Sequence, residues 1–228
     1  NIDIESTNAV ALAAAGRKEN IYQLMYNVSK LLQNSKVNVR VIQRVGLPGE
    51  TIELFERSFN KIYNLVADEF DIEVLRIKKG TMFRQNADEF GYEYSREYPN
   101  EVITNDYISA ANIVRIKLVA ETVKRFEHGF EDSIGKILFD AGMKPFAFFD
   151  GLTSFIMEND LTCKLGKEEN LYRVLYTYAA EIYDKNEDTL KLQVLQEVLH
   201  SDMNNNVSHD VIRRLERKGW EIHVKAKS

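Results

Sequence analysis

One cysteine, Cys163, is all the thiol chemistry in this chain of 228 residues. An internal disulfide and a metal site of the CxxC kind are therefore excluded. Long apolar runs are also absent. None approaches the roughly 20 residues that a bilayer-spanning helix needs, so no helical membrane anchor is expected. Basic charge is not in excess: Lys and Arg number 30 against 35 Asp and Glu, a formal net charge of −5. Such a balance gives no global attraction to nucleic acid or to an anionic membrane. Residues Asn1 to Asn8 lack the basic start and apolar stretch of a secretory signal, and no Met stands at position 1. A reducing, cytoplasmic setting is expected, and the missing Met fits a piece of a longer polypeptide. His128, His200, His209 and His223 are scattered, with no i,i+4 pair and no HExxH, so no histidine metal site is expected. His200-Ser201-Asp202 has the residue types of a catalytic triad, but triads are assembled from separated parts of a fold, and chance explains this run. Cys163 has no flanking His to activate it and reads as a packed or idle thiol.

What is present is core material, with 44% hydrophobic and 11% aromatic residues. The first eighty residues alternate between two rhythms. Ile2-Asp3-Ile4-Glu5 reads as a short strand, and a weak helix follows through Val10 to Ala15, closed by Gly16 in a left-handed conformation. Ile21, Leu24, Met25, Val28, Leu31 and Leu32 form a helical stripe. Val37 to Ile42 is β-branched and strand-like. Gly46-Leu47-Pro48-Gly49 makes a turn. Glu50 favours a helix start through the dipole, and Ile52, Phe55, Phe59, Ile62 and Val66 give that helix a buried face. A third strand is expected over Phe70 to Ile77. This β-α-β-α-β order implies a parallel sheet. After Gly80 comes a polar, tyrosine-rich connector holding Tyr92, Tyr94, Tyr98 and Pro99. Helices are expected near 108–127, 131–140, 146–158, 168–184, 187–200 and 207–218, with Phe146, Phe148, Phe149 and Phe155 as packing residues. The fold class is α/β leading into all-α, with domains 1–80 and 81–228.

Chemistry concentrates at Glu5-Ser6, at Arg17 beyond the first helix, and at the turn around Gly46. In parallel α/β sheets, ligands sit at the carboxyl ends of strands, where these residues fall. A glycine-rich turn lets a ligand approach the backbone, and an arginine can grip a carboxylate with two parallel hydrogen bonds. The set describes half of a pocket for a small zwitterionic or nucleoside-like molecule. Asp210 to Trp220 is locally basic, but Glu216 interrupts it, so a solvated helix face is favoured over nucleic-acid binding.

Glu5-Ser6 followed by Arg17 resembles the fourth strand and following helix of a radical SAM partial barrel. Val41-Ile42-Gln43-Arg44-Val45-Gly46-Leu47-Pro48-Gly49-Glu50-Thr51 is similar to that family's fifth strand and its Gly-Leu-Pro-Gly-Glu-Thr turn. Val74 to Thr81 resembles the sixth strand and the Lys-Gly-Thr after it. Phe90-Gly91-Tyr92, Tyr98-Pro99, Val102-Ile103 and the helical remainder resemble an uncharacterised carboxy-terminal domain found on cobalamin-binding radical SAM proteins.

The resemblance implies roles for a few residues. Glu5 matches a position that contacts S-adenosylmethionine, Arg17 one that binds its carboxylate, Val45 and Gly46 lie beside its adenine, and Ser6 faces the ligand. It also implies a [4Fe–4S] cluster and cobalamin in the full-length protein, of the Fe–S oxidoreductase or methyltransferase type. Here the sequence departs from the pattern. The cluster-binding CxxxCxxC loop is absent, as are the first three barrel strands and the cobalamin domain, and Arg44 stands where an apolar residue is common. The expectation is thus a fragment that is inactive alone and carries no cofactor. It would contribute part of a cofactor wall and a helical lid, with the preceding part of the same polypeptide as its partner. Its substrate stays open. The edge at Ile2–Glu5 is expected to invite pairing between chains into a homodimer. The alternative is a non-catalytic docking module.

Overall fold

Alternation of apolar and charged residues produces three parallel strands in the computed structural model, which describes residues 1–18, 20–34, 37–126, 128–183 and 188–224. They are β1 (Ile2–Glu5), β2 (Arg40–Val45) and β3 (Glu69–Val74), hydrogen-bonded in the order β1-β2-β3. Between β1 and β2 lie α1 (Ala9–Ala14) and α2 (Ile21–Asn34), and α3 (Ile52–Tyr63) links β2 to β3. The sheet's apolar side buries Ile4, Val41, Val45, Phe70 and Val74. Helix α3 packs there: Phe55, Phe59 and Ile62 are buried, and the Phe59 and Phe70 rings meet at 5.1 Å.

The expected strand over Val37–Ile42 begins later, at Arg40, because its partner begins at Glu69 and the register pairs Arg40 with Glu69. The third strand likewise stops at Val74, opposite Val45. Residues beyond it stay extended but change partners. Val102 N–H donates to the Leu75 carbonyl, and Ile77 N–H donates to the Asn100 carbonyl, both at 2.9 Å. The tyrosine-rich segment is thus more ordered than a connector. It contains the short helix α4 (Met82–Gln85) and an antiparallel pair, β4 (Glu93–Tyr94) and β5 (Val102–Thr104). Helix α5 (Ala110–Arg125) follows.

Two compact units result, Asn1–Lys124 and Arg125–Ser228. The change of rhythm at Gly80 is therefore not where packing divides. Tyr92 and Asn105 donate to the Gly46 carbonyl and Arg115 pairs with Glu56 on α3, which ties 81–124 to the β/α part.

The second unit is helical: α6 (Glu131–Ala141), α7 (Pro145–Glu158), α8 (Glu168–Ile182), α9 (Thr189–Asn206) and α10 (His209–Lys218). Local chemistry sets several of its ends. Glu131 and Asp132 occupy the first turn of α6, where the dipole favours anions, and Gly142 at φ 61 closes it. Pro145 opens α7, where its missing N–H leaves no bond unmade. The expected ends at 127, 184 and 187 lie outside the described residues. Phe146, Phe148, Phe149 and Phe155 are all buried, as their spacing implies. Gly151 permits one close contact: a Cβ there would lie 2.1 Å from the Tyr178 hydroxyl, which donates to the Phe148 carbonyl.

Candidate functional site

The sheet side opposite α3 carries charge from edge to edge. Asp3 and Glu5 on β1, Arg40 and Arg44 on β2, and Glu69, Asp71 and Glu73 on β3 are joined there by ion pairs. Arg44 reaches Asp3 at 3.2 Å, Glu5 at 3.3 Å and Glu73 at 3.0 Å. Burial works against its charge, but Asp3, Glu73 and Glu5 outweigh that and raise its pKa further. Arg40 is held by Asp71. Arg17 joins from beyond α1, 3.3 Å from the Glu5 carboxylate and 3.2 Å from the Asp3 carbonyl. The structure therefore brings Glu5 and Arg17 together and adds Arg44, which departs from the family pattern and here bridges all three strands.

Glu5 owes its position to an unusual backbone. The β1–β2 register slips between Asp3 and Glu5, and Glu5 sits at φ 62. Ser6 N–H donates back to the Ile4 carbonyl at 2.7 Å, the i→i+2 bond of a γ-turn. A positive-φ γ-turn is strained for a non-glycine residue, at on the order of 1–3 kcal/mol.

Ser6 faces inward, not toward the charged surface. It is fully buried, and its Oγ donates to Glu50 Oε1, lies 3.2 Å from Ser58 Oγ and accepts from Asn8 N–H at 2.9 Å. Thr7 N–H also donates to Ser58 Oγ, at 3.0 Å. Glu50, read from sequence as a dipole-favoured helix start, is a buried acid only 1% exposed. Burial pushes its pKa up to about 8, against the opposing pull of the Ser6 and Ser58 hydrogen bonds. Sequence reasoning missed this role. A signal was there: Ser58 interrupts the apolar stripe of Phe55, Phe59 and Ile62, and a serine within such a stripe needs a partner.

Val45 and Gly46 lie beneath the β4–β5 segment. Val45 is fully buried, and a Cβ on Gly46, at φ 94, would stand 3.4 Å from Val102. The Gly46 carbonyl accepts from Tyr92 Oη at 2.8 Å and Asn105 Nδ2 at 3.0 Å. The turn after it is set by its residues: Glu50 N–H donates to the Leu47 carbonyl, with Pro48 and then Gly49 at φ 76 between them.

Among the described residues, five buried side-chain atoms have no hydrogen-bond partner: Asp3 Oδ1, Asn8 Nδ2, Gln43 Oε1, Glu50 Oε2 and Arg76 Nε. All lie on the three strands or in the segments just after them, and none falls among the described residues of the helical unit. Buried polar groups are normally satisfied; Gln43 Oε1 and Glu50 Oε2 belong to the interior shared with α3 and Ser6, whereas Asp3 Oδ1 lies on the charged side, where another group can supply its bond.

The helical unit offers no comparable chemistry. Asp202 accepts from Ser133 Oγ at 2.6 Å, while His200 packs edge-on against Trp220 at 4.9 Å, so the local His-Ser-Asp run serves packing. Cys163 is exposed. Among the described residues no three His, Cys, Asp or Glu side chains converge on a metal position, and no helix is long and apolar enough to cross a membrane.

No curated protein matches the chain. The family model described as "Protein of unknown function (DUF4080)" matches residues 88–226, which takes in the β4–β5 pair, α5 and the helical unit. The chain belongs to the DUF4080 family.

Proposed function

We propose that this chain is part of a cobalamin-dependent radical SAM enzyme, of the Fe–S oxidoreductase or methyltransferase type. In this reading β1–β3 are closing strands of the partial barrel, and their charged side forms part of the S-adenosylmethionine wall. The carrying observation is the Glu5–Arg17 ion pair at the end of β1, with two partnerless buried atoms, Asp3 Oδ1 and Asn8 Nδ2, in the same β1–α1 segment. Asp3 Oδ1 can accept from an ammonium or hydroxyl of the ligand, and Asn8 Nδ2 can donate to one of its oxygens. Arg17, now paired with Glu5, would exchange or share that partner with the ligand carboxylate.

The fit does not extend to the cluster. A lone exposed Cys163 cannot replace three convergent thiolates, so this reading requires a cluster-ligating loop outside these 228 residues. The cluster supplies the electron, whereas residues of this chain orient the ligand and keep water from it. Calorimetry of this chain with S-adenosylmethionine is expected to give no saturable heat at micromolar concentrations. The cluster-loaded parent protein should bind, and Arg17→Gln in it should weaken that binding about tenfold, the loss of one charge-assisted hydrogen bond. Tight binding to this chain alone, or an unaffected Arg17→Gln parent, would sink the assignment. The outer side of β1 has no partner strand in the described sheet, which supports pairing there with another strand, from the same polypeptide or from a second copy.

A further inference from the structure

The Glu5 turn does not hold itself. Its strain must be offset by neighbouring contacts, and Ser6 makes most of them. One side chain fixes Ser6 from 44 residues away: Glu50, whose Oε1 takes the Ser6 hydroxyl. Ser58 on α3 completes the knot by contacting Ser6 and Thr7. Ser6, Glu50 and Ser58 are all at most 1% exposed. Two effects compete over the charge of Glu50. The α3 N-terminus favours an anion, but a carboxylate here would leave Oε2 buried with no donor. As the acid, Oε2 still has no partner, but the buried group is then an uncharged O–H and the larger cost of an unpaired anion disappears.

We propose that Glu50 is a neutral positioning residue, a carboxylic acid that latches Ser6 to Ser58 and so holds the strained turn that aims Glu5 at Arg17 and Arg44. Its bearing on ligand capture rests on the reading of Glu5 and Arg17 given above; the latch itself is a property of residues 4–58. The groups acting on Glu50 are the Ser6 hydroxyl at the β1 end and the Ser58 hydroxyl on α3, with no charged side chain among them. Ionisation at alkaline pH would draw water to Glu50, release Ser6 and let Glu5 relax out of its turn.

The test is a pH titration of this chain and its Glu50→Gln variant, followed by amide NMR and by infrared spectroscopy of the carboxyl C=O stretch. In the unsubstituted chain a protonated-carboxyl band is expected near neutral pH. It should vanish with a midpoint near 8, and the Ser6, Thr7 and Asn8 amides should shift with the same midpoint. Glu50→Gln should lack the band and keep those amides at their neutral-pH positions throughout. No acid band, no amide titration above neutral pH, or the same amide curve in Glu50→Gln would each overturn the latch. A second arm separates the two readings. In the cluster-loaded parent, affinity for S-adenosylmethionine should fall about tenfold from neutral to alkaline pH, and Glu50→Gln should abolish that fall. A latch that titrates while affinity stays level would support the latch and overturn the placing of Glu5 beside the ligand.

Discussion

Replacing Phe148 with alanine is expected to lower the stability of the helical unit by about 4 kcal/mol, the range of buried Phe→Ala changes. Phe148 is fully buried on α7, with the Phe149 ring at 5.2 Å and the Tyr178 ring at 5.6 Å. Tyr178 is held in place and cannot close the gap: its hydroxyl donates to the main-chain carbonyl of residue 148, which the substitution leaves, and its ring also packs on Phe155. Truncation therefore loses both the transfer free energy of the ring and its contacts. The readout is built in. Trp220, the only tryptophan, packs against Tyr176 and His200, so its fluorescence in urea follows this unit. The control is Phe139→Ala on α6. That ring is 86% exposed, and its loss should move the midpoint little. Equal shifts for the two variants would mean that Phe148 does not pack α7 against α8.

The second large effect depends on pH. Glu50 has a native pKa of about 8 against an ordinary value of 4.5. Between these limits the native state holds a proton that the unfolded chain has released, so stability falls as pH rises through this window and levels off above it. The full span amounts to on the order of 5 kcal/mol at about 1.4 kcal/mol per pKa unit. Glu50→Gln removes the titration and keeps the shape. The variant should match the parent sequence in mild acid and exceed it by most of that amount at alkaline pH. Taking the difference between the two proteins cancels the other titrating groups. Hydrogen exchange of β2 and α3 amides, from 40 to 63, reports the unit concerned. A gap between the proteins that does not widen with pH would show that Glu50 is ionised throughout. The direction is informative in itself: a protein that keeps a destabilising buried acid at a strained turn follows the usual exchange of stability for a positioned site.

The same residues show how far local pattern carries. The alternation of Ile2-Asp3-Ile4-Glu5 and of β3 sorts apolar from charged sides, because successive side chains in a strand point to opposite faces, while β2 breaks it with Ile42 on the charged side and Gln43 on the apolar one. The stripe of α3 reported burial at Phe55, Phe59 and Ile62, and the phenylalanines of α7 did the same, but Val66 failed: the helix ends at Tyr63, and Val66, at φ 54, is 75% exposed. Pattern also placed Glu5 and Arg17 near one strand end, and they meet there. It could not show which way Ser6 would point. A serine after a strand looks the same whether it meets a ligand or a buried acid, and its partners lie 44 and 52 residues away. Nor did the tyrosine-rich segment reveal that Val102 and Asn100 would take over pairing from β2 beyond Val74, since such short strands carry little periodicity.

By itself, then, the sequence determined the parallel β/α beginning, the helical remainder, and the absence of an internal disulfide and of a three-cysteine cluster loop. Each follows from residue type and local spacing. Tertiary structure alone decided that Glu50 is a buried acid, that Ser6 belongs to it, that Arg44 bridges three strands, and that packing divides at Lys124 and not at Gly80. These outcomes depend on which distant groups share a dry interior, where burial with no charged partner can move a carboxyl from charged toward neutral.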